Sequence, residues 1–133
     1  MQDAAGGLLG AVLIVIAAVH FYWAAGGEWG VDATIPRRSK GGARLFQPGK
    51  AGAAGVGMAL VAAGTVAARG LEFEYRPAVL QLMSLGFAAR AVGEFRYVGF
   101  FKRVKGSKFA YYDSILFSPL CAAMSALAWV SVG

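Results

Sequence analysis

The sequence predicts an all-α polytopic membrane protein, a four-transmembrane-helix bundle with a long basic loop between its first two helices. Three observations lead there. The apolar residues, 58% of the chain, come in long blocks rather than at the short spacing of a soluble fold. Three blocks, 7–25, 51–68 and 114–133, contain no Asp, Glu, Lys or Arg, and about 20 apolar residues at helical rise cross the hydrocarbon layer. The basic residues, finally, gather between the blocks rather than within them. A transmembrane barrel would need short alternating segments, which are absent. A length of 133 residues suits one membrane domain, 1–133.

The first helix is expected over 7–25. Met1-Gln2-Asp3 supplies no positive n-region and the apolar block is long, so the reading is a retained helix rather than a signal peptide. Gly6-x-x-x-Gly10 has the spacing that lets two helices approach closely. The block closes on His20, Tyr22 and Trp23, aromatic groups suited to the membrane interface. Gly26-Gly27 then allow a turn.

Residues 26–50 form a loop long for a bare connection, mixing Arg37, Arg38, Lys40 and Arg44 with Trp29, Ile35, Leu45 and Phe46. It lies on anionic headgroups or dips back as a lid; the residues alone leave both open. The second helix, 51–69, is Ala, Gly and Val, with Gly49, Ala53 and Gly57 at four-residue intervals and Gly52 and Gly64 nearby, a packing face. Pro77 suits the first turn of the third helix, 78–101, since its missing N–H costs nothing there. The fourth, 113–132, begins at Asp113 as a candidate N-cap and should kink at Ser118-Pro119. Cys121, the only cysteine, reads as a small packing residue and excludes an intrachain disulfide.

A net charge of +6 invites nucleic acid, but its distribution does not. Nine of the thirteen basic residues fall in the first and third connections and only Arg69 and Arg76 in the second; Arg90 and Arg96 interrupt the third helix. Positive-inside bias then puts loops 26–50 and 102–112 in the cytoplasm and both termini outside, in a cytoplasmic (inner) membrane. Arg37, Arg38, Lys40, Lys102, Arg103 and Lys105 are the expected contacts to anionic lipid headgroups. The small-residue faces leave a homodimer open.

This topology brings His20, Arg90, Glu94, Arg96 and Asp113 to one membrane layer. Arg90 and Glu94, four apart on one helix face, are expected to pair, with the Tyr97 hydroxyl one turn on. Arg96 lies on another face and must snorkel to the interface or meet Asp113. Intramembrane charges are either structural ion pairs or the lining of a site; such residues raise the case for a site, and the sequence leaves the two evenly balanced. The candidate ligand-binding residues are therefore His20, Tyr22, Trp23, Arg90, Glu94, Arg96, Tyr97 and Asp113, with no catalytic residue, metal or cofactor expected.

The stretches HFYWAAGGEWG (20–30), FAARAVGEFRYVGFFK (87–102) and FAYYDSILFSPLC (109–121), with P…FQPG (36–49), resemble a bacterial family of small integral membrane proteins. The family is a domain of unknown function, number three-nine-nine-five. The resemblance covers nearly the whole chain and implies four membrane helices with no assigned activity. Four classes of function follow: a binder of a lipid-like or anionic small molecule, a small proton-coupled transporter using Glu94, an intramembrane enzyme with His20 and Glu94 as acid and base, and an accessory subunit of a membrane complex. The cluster of cations beside apolar walls favours the first.

Overall fold

The computed structural model describes residues 2–37, 42–44 and 49–132. Among them the chain is helical, with no strand beyond an isolated antiparallel bridge between Arg37 and Arg44. Its helices are α1 (Gln2–Ala24), α2 (Val31–Thr34), α3 (Lys50–Ala67), α4 (Arg76–Val92) and α5 (Lys108–Val132), the last containing a π-turn at Asp113–Phe117. Three of them, α1, α3 and α5, are long and apolar enough to cross a membrane, which marks a membrane protein. Leu8 and Val15 on α1, Met58 on α3, Leu82 and Leu85 on α4 and Trp129 on α5 all point outward. So much exposed apolar surface suits lipid rather than water.

Several of the expected boundaries move. Helix α1 starts at Gln2, and the long first connection carries its own short helix, α2. The third helix ends at Val92, not 101, because Gly93 takes a left-handed φ of 83° and its N–H bonds the Ala89 carbonyl 2.7 Å away, an αL stop. Asp113 is not a cap: α5 begins five residues earlier, where Ser107 Oγ accepts the Ala110 N–H at 3.0 Å. Where a kink is expected at Ser118-Pro119, the helix carries a π-turn just before the proline, with the Ser118 N–H reaching back five residues to the Asp113 carbonyl.

The helices fall into two contact units: Met1–Gly27, Pro48–Leu85 and Met124–Gly133 in one, Glu28–Gln47 and Gly86–Ala123 in the other. In the first, α1 packs along α3 with Leu9, Leu13 and Ala17 buried. Gly6 lies against the Ala67 carbonyl, and a Cβ built on Gly10 would stand 2.8 Å from both the Gly64 carbonyl and the Ala68 methyl. The Gly6-x-x-x-Gly10 face is thus a close helix seam. On α3 the seam uses Gly57, against the Phe21 ring, and Gly64; Gly49 and Gly52 meet nothing, so the expected face is shifted.

Polar groups close this unit. Arg76, read from sequence as a loop charge, is buried, and its Nε and Nη2 donate to the Val66 and Ala67 carbonyls at 2.9 and 3.0 Å. It satisfies the carbonyls that the end of α3 leaves open. Between α4 and α5, Ser84 Oγ donates to the Ser125 carbonyl at 2.9 Å and Ser125 Oγ to the Ser84 carbonyl at 2.7 Å. A reciprocal clamp of this kind joins helices where lipid supplies no hydrogen-bond partners.

Candidate functional site

The second unit brings the first and third connections together, with α2 packed against the first turn of α5. In the first connection, Asp32 pairs with Arg44 and with Arg37 at 3.4 Å, and Arg44 holds the Asp32 carboxyl below its ordinary range. Arg38 and Lys40, expected on headgroups, and the FQP of the FQPG motif lie outside the described residues.

The segment after α4 is a compact loop rather than two more helical turns. Glu94, beyond the helix end, turns its carboxylate onto the backbone. One oxygen accepts the N–H groups of Tyr97, of Val98 at 3.0 Å and of Arg96 at 3.2 Å. The chain then crosses itself where Gly99, at φ 92°, meets Gly93; a Cβ on either would strike the carbonyl of Val92 or Val98. The Phe100 N–H bonds the Ala91 carbonyl at 2.8 Å, and the Arg96 carbonyl receives the N–H groups of Arg103 and Val104.

Three amide donors, Tyr97 foremost, hold the Glu94 carboxyl below its ordinary value of 4.5. A depressed folded-state pKa means stabilisation that is present above the unfolded value and lost as pH falls through the folded one. Acidification below the ordinary glutamate range should therefore release this turn. Protection of the Tyr97 and Val98 amides, taken relative to the intrinsic exchange rate at each pH, should fall there in the wild type, and in Glu94→Gln should be low at every pH. Unchanged protection in the variant would contradict the capping role.

The loop closes on one buried carboxylate. Asp113, fully buried within the π-turn, accepts from Arg90 Nη2 at 2.8 Å on Oδ1, and on Oδ2 from the Gly99 N–H at 2.7 Å and Lys102 Nζ at 3.0 Å. Lys102, with a side chain 1% exposed, also donates to the Gly99 carbonyl at 3.0 Å and Ser114 Oγ at 2.6 Å. All three of its protons are thereby used. Arg90 differs: it is 33% exposed at the side chain, yet its Nη1 is buried and has no hydrogen-bond partner among the described residues. Ser118 Oγ, five residues beyond Asp113, is the other buried polar atom without one among the described residues. Two cations share one carboxylate, so the cluster carries a surplus positive charge centred on Arg90.

This arrangement corrects several expectations. Arg90 pairs with Asp113 across the loop and not with Glu94. Arg96 does not reach Asp113; it is exposed, its guanidinium 5.1 Å from the Tyr97 ring. Lys102, expected on headgroups, is folded inward. His20 Nδ1 bonds the Ile16 carbonyl at 2.8 Å and its ring meets Trp23 edge-on at 5.0 Å, while the Tyr22 ring covers Gly27; these three belong to the first unit. Glu94 is engaged by backbone amides outside any helix.

The profile of a family described as a protein of unknown function (DUF3995) matches residues 13–128. No curated protein and no solved structure matches the chain.

Proposed function

The chain belongs to the DUF3995 family, and from that premise we propose that it is a four-helix membrane protein that binds the anionic group of a lipid-like small molecule on Arg90. In this reading α4, 17 residues and about 26 Å long, is the fourth span. Four spans put the first and third connections on one side of the membrane, which accords with their forming one contact unit. The positive-inside rule makes that side the cytoplasm.

The observation that carries the binding reading is Arg90 Nη1. An unsatisfied buried donor costs about 1–3 kcal/mol, more for a charged group, and Arg90 shares the single charge of Asp113 with Lys102. A phosphate or carboxylate oxygen arriving at Arg90 would satisfy that donor and balance the surplus charge. The apolar outer faces of the helices suit a ligand with an alkyl tail.

The test is thermal unfolding in a neutral maltoside detergent with short-chain phosphatidylglycerol, against phosphatidylcholine of the same chain length. The wild type should be stabilised by the anionic lipid only. Arg90→Lys keeps the Asp113 ion pair but loses the guanidinium fork, and should weaken that response about tenfold or more. Equal stabilisation by both lipids, or an undiminished response in Arg90→Lys, would overturn the reading.

A further inference from the structure

The loop between α4 and α5 exposes three phenylalanines within seven residues: Phe95 (54%), Phe100 and Phe101 (61%). Phe95 and Phe101 lie with ring centroids 6.2 Å apart. This is a built surface rather than slack chain. Phe95 sits at φ 69°, a left-handed conformation rare for a bulky residue. The Glu94 carboxylate on the next three amides, the Gly93–Gly99 crossing and the Gly99 N–H on Asp113 together hold it there.

The charge around the rings is mostly of one sign. Arg96, Arg103, Lys105 and Lys108 are all exposed. The opposing charges are engaged elsewhere: Glu94 on backbone amides, Asp113 on Arg90 and Lys102, and Asp32, which lies within electrostatic reach of Lys108, on Arg37 and Arg44. Lys102, the one cation that could have joined the outer set, is folded in. The loop starts where α4 stops and ends at the cap of α5, a helix long and apolar enough to cross a membrane, so at least that end is tied to the membrane.

We infer that this loop is a lipid-surface anchor: the Phe95–Phe101 pair enters the headgroup boundary of an anionic leaflet, and Arg96, Arg103, Lys105 and Lys108 hold its phosphates. Exposed aromatic rings are favourable at that depth, where apolar surface leaves water without crossing the headgroups. Each cation near an anionic surface adds to the attraction. Neutral lipid supplies the first contribution and not the second, so insertion depends on leaflet charge. The anchor uses different side chains from the Arg90 site and stands without it.

The test labels Phe100→Cys with a nitroxide in a Cys121→Ala background, leaving Phe95 and Phe101 intact. The protein is reconstituted in nanodiscs of phosphatidylcholine with or without phosphatidylglycerol. Accessibility to oxygen is compared with accessibility to a water-soluble nickel chelate. With phosphatidylglycerol the label should favour oxygen, as it does inside the acyl boundary. It should shift toward the chelate in phosphatidylcholine alone, with Phe95→Ser/Phe101→Ser, and with Arg103→Gln/Lys105→Gln. Arg90→Lys should leave the depth unchanged, separating this result from ligand binding. A label open to the chelate in every lipid, or shielded from both reagents as against a protein partner, would overturn the anchor.

Discussion

Asp113→Asn is expected to cost about 3–5 kcal/mol, a fall in Tm of roughly 10–20 °C for a chain of this size. The substitution keeps the shape and removes the charge that three donors share: Arg90 Nη2, Lys102 Nζ and the Gly99 N–H. An amide nitrogen in place of one oxygen then faces donors with a donor. Lys102 suffers most, since a side chain 1% exposed cannot rehydrate its ammonium without unfolding the loop. Lys102→Met should cost less, because Asp113 keeps Arg90 and the Gly99 N–H. Coupling is the sharper readout. In Asp113→Asn/Lys102→Met the stranded cation is gone, so the double variant should lie above the sum of the singles by about 1–3 kcal/mol. Detergent thermal unfolding measures all three. An Asp113→Asn variant within about 1 kcal/mol of the wild type would show that water reaches the cluster.

Much of the fold was legible because lipid simplifies the code. Blocks free of charge for eighteen residues or more have few alternatives to a membrane span, and α1, α3 and α5 followed from that alone. The end of α4 was misread for a physical reason. Val-Gly-Glu-Phe-Arg-Tyr-Val-Gly keeps an apolar tone through position 101, and a lone glycine in such a run does not by itself announce a left-handed stop. The matching glycine six residues later, and a glutamate just after the first, are the signal that was present. Two glycines can cross where a Cβ would forbid it, and the carboxylate supplies the acceptor that three turning amides require.

The site was half legible. Arg90 and Asp113 were both named as intramembrane charges, but their partners were assigned by helical periodicity, which stops applying once the helix stops. Arg90 therefore lost Glu94 and gained Asp113. Lys102 carried no signal at all. It lies in the run Lys-Arg-Val-Lys, where composition says interface, and only the fold of the loop turns it in while Arg103 stays out. Arg76 is the same lesson in the other unit, a loop charge by composition and a helix cap by contact.

Gly6→Ala and Gly7→Ala, adjacent and chemically identical substitutions, are expected to have opposite signs. A methyl on Gly6 is driven into the Ala67 carbonyl, which belongs to the backbone of α3 and cannot rotate away. The two helices must separate, and the buried contacts of Leu9, Leu13 and Ala17 loosen with them. Overpacking of this kind costs about 1–3 kcal/mol, and lipid offers no hydrophobic drive to restore the contact. Gly10→Ala, whose new methyl meets the Ala68 methyl and the Gly64 carbonyl at 2.8 Å, should lose a similar amount. At Gly7 the same methyl meets nothing within 4 Å, so only helix propensity changes, in favour of alanine by up to about 1 kcal/mol. Tm should therefore fall for Gly6→Ala and Gly10→Ala and hold or rise for Gly7→Ala, with Gly52→Ala and Gly55→Ala, equally open, behaving like Gly7→Ala. If all five glycines responded alike, helix flexibility rather than the α1–α3 seam would be what they provide.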